Sequence, residues 1–383
     1  MDLVPRRALI PALLCAALLL IPTAAAQAHG GHGGKTITVK PTGSTAAIQA
    51  AVDAAHPGDT ILVQPGVYSG DTVRVNTSDL TITGSSKAII DAAGHDFGLT
   101  VGPAPNIPAD CGTGYGVSDF TIDGLTIRNA DDTGIFLMGV NRFRVTNGSY
   151  LNNGEYGIFP RCSRDGRVDH NSGGGGADAT IYVGVDKFIT VDSNKLTNGT
   201  LAIELEDTDD TYVRNNVLTG NTVGVFVIVL PGLPTTSTNR ATIENNIVSR
   251  NNLPNTLAIP TCDPPDYQTG APGCIPLTDD LQLLPSGSGI LNVGGDDITV
   301  RKNVVTGNDT VGIGVVQNPF GFGTSNNSRV QFNVALNNGG NPDPRSTGSG
   351  DLVYLDDPTN GSCISQNVYK TTFYPFGAPP ACS

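Results

Sequence analysis

The sequence predicts an all-β parallel solenoid, and three observations carry that expectation. They are a repeat near 22 residues, a column of asparagines in phase with it, and a composition rich in glycine and β-branched residues. Forty-eight glycines, two methionines and no tryptophan among 383 residues argue against a helical chain and for a repeat architecture. The apolar residue before each Asn-rich turn recurs at Ile122, Val145, Val168, Val191, Val213, Ile243, Val300, Val330 and Ile364. The first four intervals are 23, 23, 23 and 22 residues; the later ones are 30, 57, 30 and 34, as loop insertions on one side of the same coil would produce. Three positions after the anchor stand Asn171, Asn194, Asn216, Asn246, Asn303, Asn333 and Asn367. About twelve residues after the anchor a second short strand follows, as in "TGIFLMG", "YGIFPRC", "ATIYVGV", "LAIELED" and "VGVFVIV". Coils of such strands stack at about 4.8 Å. A side-chain amide both donates and accepts, so stacked asparagines bond coil to coil and read as structural.

Taken in order, residues 1–28 read as an export signal. Arg6 and Arg7 form a basic start, an apolar run follows from Ala8 to Ile21, and small residues allow cleavage after Ala26 or Ala28. The run is too short for a stable membrane span. Residues 29–35 form a Gly/His linker, and residues 36–383 form the solenoid, with 253–287 as a loop insertion. This predicts a secreted or extracellular protein, with the cell surface and the periplasm as variants. Cleavage would also expose His29 or leave it third, near His32, a ligand pattern suited to copper(II); a plain glycine linker is the simpler reading.

Six cysteines remain after the signal, an even number that suggests disulfides in an exported chain. Proximity pairs Cys262 with Cys274 and Cys363 with Cys382, leaving Cys111 for Cys162. The formal charge is −13, to which the signal contributes +1, so the mature chain carries −14. That balance excludes nucleic acid and anionic membrane as natural partners.

The segment "STAAIQAAVDAAHPGDTILVQPGVY" places Ile48, Ala51, Val52 and Ala55 at helical spacing, so a short helix is expected to cover the open end of the core. This opening and the repeat together resemble the right-handed parallel β-helix proteins of the pectin-lyase-like superfamily, over about residues 36 to 370. The resemblance implies a right-handed β-helix of about ten coils. "YGIFP", "IYVGV", "IELED", "VFVIVLPGLP" and "GILNVGGDD" are similar in order to an exported β-helix repeat group, which brings no established activity with it.

Alternate residues of a strand face opposite sides. If Ile158, Ile181, Ile203 and Val225 point inward, then Phe136, Phe159, Tyr182, Glu204 and Phe226 form an outward column. Met138, Arg161, Gly184, Glu206 and Ile228 form a second one. Tyr156-Gly157-Ile158-Phe159-Pro160-Arg161 resembles the Tyr-Gly-Phe-Asp-Pro-His signature of mannuronan C5-epimerases. Phe159 and Arg161 stand in place of its catalytic aspartate and histidine, so that mechanism does not carry over. A different assembly uses Arg161 as base or carboxylate-binding group and Tyr182 as proton donor, with Glu204 and Glu206 on the next strand. Oxygen-rich Glu206 and Asp207 suit calcium, and some β-helix lyases that this resembles place an arginine beside such a site. Arg161 and Glu206 would lie two coils apart, roughly 10 Å. Glu204 and Glu206, roughly 7 Å apart along one strand, also offer an inverting hydrolase pair. Phe159 and Phe226 are the expected sugar-contacting aromatics, and the loops 229–239 and 253–287 are expected to wall a groove.

The expected function is carbohydrate engagement on this face, with a polysaccharide or cell-surface glycan as partner and lyase-like cleavage of a uronic acid polymer as the enzymatic form. The alternatives are a non-catalytic glycan- or protein-binding β-helix and a copper-linked accessory protein.

Overall fold

A computed structural model of the chain describes residues 34–103, 111, 116–230, 232–255 and 284–382. His29, His32, Cys262 and Cys274 lie outside the described residues. Each coil gives one short strand to each of three parallel sheets, which hold twelve, eleven and ten strands among the described residues. The repeat anchors form one continuous row, with Ile122, Val145, Val168, Val191, Val213, Ile243, Val300, Val330 and Ile364 paired in succession. The long sequence intervals therefore leave the coil register untouched, and the extra residues are loops. The anchor side chains, apart from the half-buried Ile364, are buried in the interior of the solenoid with Ile158, Ile181, Ile203, Val225, Ile290 and Ile313.

Each turn into the second sheet has the same local cause. A residue in the left-handed region is followed by a buried asparagine: His170 then Asn171, Asn215 then Asn216, Asn245 then Asn246, Phe332 then Asn333. The left-handed bend carries a cost of roughly 1–2 kcal/mol for a residue with a side chain, and the asparagine offsets it. Asn194 Nδ2 donates to Val168 O at 2.9 Å and to Asn216 Oδ1 at 3.0 Å, while Asn194 N donates to the same Oδ1 at 2.9 Å. The pattern repeats through Asn216, Asn246, Asn303 and Asn333 to Asn367. A second column absent from the sequence reading runs through Asn221, Asn251, Asn308 and Asn338 and ends on Asp351.

The ends are closed. The helix Ala46–Asp53 buries Ile48, Ala51 and Val52 against the first coils. At the other end Cys363 and Cys382 are bonded with Cα atoms 4.9 Å apart, and Ile364 N donates to Pro380 O at 3.0 Å, holding the tail across the last coil. Both devices cover strand edges that would otherwise pair with other chains. The Cys111–Cys162 bond also forms, and so ties a loop beside the strand Tyr156–Arg161.

Candidate functional site

The strands Thr133–Met138, Tyr156–Arg161, Ala179–Gly184, Leu201–Glu206 and Val223–Ile228 stack in one sheet. Register pairs Phe136 with Phe159, Tyr182 with Glu204, Glu204 with Phe226, and Arg161 with both Met138 and Gly184. The two outward columns thus exist as the strand period implies.

They are not an open outer face. Phe136, Met138, Phe159, Tyr182, Phe226 and Ile228 form a second apolar cluster outside the solenoid wall, with Leu230 and Leu233 of the loop 229–239 packed on it. Glu204 and Glu206 are 2 % and 6 % exposed, so these outward-pointing glutamates are covered and not on an open groove wall. The physical reason is composition. Six of the outward side chains are large and apolar, and a chain that folds a loop over them removes that surface from water.

One opening remains. A cleft of about 550 Å³ is lined by Phe97, Phe136, Tyr156, Phe159, Tyr182 and Leu233, together with Arg161, Glu206, Asp96, Asp132, Thr133 and Glu155. It gathers Phe159, Arg161, Tyr182 and Glu206. Glu204 is not among its lining groups, although its charge helps to hold the Tyr156 and Tyr182 phenols above their usual range. Phe226 lines a separate cavity of about 250 Å³, walled mainly by apolar residues such as Leu284, Leu291 and Val353. The loop 229–239 walls the cleft through Leu233 as expected. The described end of 253–287 contributes Leu284 and Pro285 to the second cavity instead.

The cleft floor is an aromatic cluster that crosses coils. Ring centroids of Phe136 and Phe159 are 5.0 Å apart, Tyr156 and Phe159 4.6 Å, and Phe159 and Tyr182 4.4 Å. Tyr156 donates to Asp178 Oδ2 at 2.7 Å, and the Tyr182 hydroxyl donates to Glu206 Oε2. Gly184 makes that second bond possible: a Cβ there would lie 2.0 Å from Tyr182 Cε1, so only glycine lets the ring fold over the strand. Burial, then Glu206, raises the Tyr182 phenol well above its usual range, so it stays protonated and acts as a donor.

Arg161 is 8 % exposed, its Nε has no hydrogen-bond partner, and it lines the cleft. Its positive charge is felt by the buried Asp186 and Asp207. Burial first, then Glu206, pushes the Asp207 carboxyl up to about 8, despite Arg161 and the Leu230 N–H. Asp207 turns the chain at φ 47° immediately after the strand. Among the described residues no group of three or more His, Cys, Asp or Glu side chains is placed to hold a metal ion. No step below runs through a metal.

Sequence reasoning missed the acidic residues of the cleft, Asp96, Asp132 and Glu155. These three, and Asp178 that accepts from Tyr156, each stand immediately before a strand of this sheet. The signal was present in "DFGLT", "DTGIF", "EYGIF" and "DATIY", but it falls four residues before the outward column, ahead of the strand itself.

Residues 106–229 match a family model described as right handed beta helix region. No curated protein matches the chain by sequence. Among solved structures, a mannuronan C-5 epimerase A-module of Azotobacter vinelandii is similar at 12% identity and a TM-score of 0.57, covering 90% of this chain and 96% of its own. A tailspike protein of an E. coli bacteriophage, in complex with a pentasaccharide, is similar at 13% identity and a TM-score of 0.62, covering 90% of this chain and 62% of its own. An alginate lyase from a Paenibacillus species is similar at 15% identity and a TM-score of 0.50, with 90% and 97% covered. At these identities the likeness concerns the fold, and by fold this chain is a right-handed parallel β-helix.

Proposed function

We propose that this protein engages a carbohydrate chain in the cleft beside Tyr156, Phe159, Arg161 and Tyr182, and that residues 1–28 export it to where such chains occur. The observation that carries this reading is the mixture in one 550 Å³ space: an aromatic floor, the guanidinium-bearing Arg161, and the carboxylates Asp96, Asp132 and Glu155. A sugar ring offers an apolar face to the aromatics and hydroxyls to the polar groups. The similar solved structures, an alginate lyase, a mannuronan epimerase and a pentasaccharide-bound tailspike, support the reading.

Lyase chemistry is the second reading, and the Tyr182–Glu206 bond is what favours it. A guanidinium offers donors and no acceptor, so the role of Arg161 here is to hold the carboxylate of a uronic acid unit and not to act as base. Glu206 would take the proton beside that carboxylate, a carbon–carbon double bond would form, and the glycosidic oxygen would leave with the Tyr182 proton. Glu206 then returns its proton to Tyr182 through their hydrogen bond, closing the cycle. Against this reading stand Asp96, Asp132 and Glu155 in the cleft, which repel a polyuronate.

The test is binding calorimetry on a panel of neutral, amino and uronic acid oligosaccharides, with and without calcium, together with absorbance of unsaturated products. Arg161→Ala is expected to weaken whichever glycan binds by at least about tenfold, or about 1.4 kcal/mol. Absence of binding to every class would refute the proposal. Binding without unsaturated product would remove only the lyase reading.

A further inference from the structure

The outer face of the ten-stranded sheet carries an apolar row on coils that the cleft does not use. Val217 pairs with Ile247, Ile247 with Val304 and Val304 with Val334, and Val334 bridges to Val368, so one β-branched side chain stands on each of five successive coils. The strand residues that follow the first four, Leu218, Val248, Val305 and Ala335, are fully buried, which turns the row itself outward. Ile247, Val304, Val334 and Val368 are between 37 % and 55 % exposed, and Phe332 at the bend before Val334 is exposed as well. These are five of the twelve large apolar side chains that stand exposed among the described residues, so the exposure is concentrated on one face and not scattered.

Charge sets the same face apart. The strands and bends that build it, residues 193–199, 215–221, 245–252, 302–308, 332–338 and 366–371, contain no Asp or Glu and four cations. The cations are Lys195, which pairs with Val217 at the head of the row, Arg250, Lys302 and Lys370, and all four are exposed. Among the described residues none of the four is ion-paired, whereas Arg214 and Arg301 on the adjoining sheet each hold a carboxylate. Taking these four charges from the formal −13 leaves −17 on the rest of the chain.

We infer that a second copy of the chain docks on this face, the two sheets meeting row on row about a two-fold axis. Such a contact is self-complementary, because the same apolar row serves on both sides. Two copies that each carry −13 repel over most of their surfaces, and a face with four cations and no carboxylate is where that repulsion is least. The cations at its rim then reach the acidic flanks of the other copy. Six coils at about 4.8 Å make the face about 24 Å long, and a strand with its bends makes it about 20 Å wide. That covers roughly 500 Å² per copy and about 1,000 Å² in all, the lower limit for a specific interface, so the dimer is reversible. The cleft belongs to a different sheet, and glycan binding and dimerisation therefore succeed or fail separately.

Sedimentation equilibrium of the purified chain, from low to high micromolar concentration, is expected to show the mass rising from one copy toward two. Val304 is the middle residue of the row and lies in the contact whichever way the two rows run. Val304→Asp brings a carboxylate from both sides and is expected to weaken the dimer at least about tenfold, with Lys302→Glu giving a smaller loss in the same direction. Val67→Asp is the control: Val67 is as exposed as Val304 but stands on an early coil of the same sheet, and the dimer is expected to be unchanged. Thermal unfolding near the wild-type midpoint shows that each variant folds, and if Val304→Asp does not, Lys302→Glu at its exposed bend decides alone. A single-copy mass at every concentration overturns the inference, as does a dimer that neither substitution weakens or that Val67→Asp weakens equally. Flotation with phosphatidylglycerol vesicles tests the other occupant of such a face: vesicle binding by a chain that stays monomeric assigns it to a lipid surface and overturns the dimer.

Discussion

Asp207 shows how a single buried carboxyl sets a pH dependence. Burial and Glu206 raise it to about 8, against 3.8 for the free side chain. Between those two values the folded chain keeps a proton that the unfolded chain has released. Each rise in pH across that window therefore favours unfolding, and the full loss is reached above about 8. Asp207→Asn removes this slope. Thermal unfolding from pH 5 to pH 9 is expected to show a wild-type midpoint that falls with pH more steeply than that of the variant, the variant gaining most at the alkaline end. Parallel curves would show that Asp207 titrates normally. Asp169 has the opposite sign: Arg144, His170 and Arg167 overcome its burial and hold it well below the usual carboxylate range, so it contributes stability that acid removes.

Among the elements, the asparagine column is the part whose failure would be most informative. Asn246 Nδ2 donates to Val213 O at 2.9 Å and to Asn303 Oδ1 at 3.0 Å, and its own Oδ1 accepts from Asn216. Asn246→Ala leaves these groups buried without partners, at a cost of about 1–3 kcal/mol. Denaturant unfolding should register that loss with an unchanged slope, whereas Asn215→Ala, outside the buried column, should cost less. Equal costs would mean that the ladder adds nothing beyond the turn. The column was legible in the sequence because amide chemistry demands a partner and the repeat supplies one at a fixed interval. The second column was equally periodic and was overlooked: Asn221, Asn251, Asn308 and Asn338 stand five residues after Asn216, Asn246, Asn303 and Asn333, and the column ends on Asp351.

For the solenoid as a unit, stability is close to a sum of coils and their interfaces, so its ends are its weak points. The Cys363–Cys382 bond closes a loop of 19 residues at the last coil, a constraint worth about 3 kcal/mol on chain-entropy grounds. Replacing both cysteines by serine is expected to speed amide exchange in Cys363–Ser365 and Thr372–Phe373 while Val145 and its neighbours keep their protection. Exchange that rises evenly along the chain would show instead that the solenoid unfolds as one cooperative unit.

What could be read from the amino acids was whatever depends on period. The spacing of the anchors gave the coil, strand alternation separated inward from outward residues, and helical spacing placed the cap, because each follows from backbone geometry that repeats regardless of its surroundings. Tertiary structure decided what became of the outward residues. Large apolar side chains on that face draw the loop 229–239 over themselves, so Glu204 and Phe226 leave the expected groove, while Arg161, Tyr182 and Glu206 remain at one cleft. It also brought Asp96, Asp132 and Glu155 into a row across intervals of 36 and 23 residues. Coil stacking turns a sequence interval into a distance of about 4.8 Å only after register is known, and a loop's path over a surface has no period to betray it.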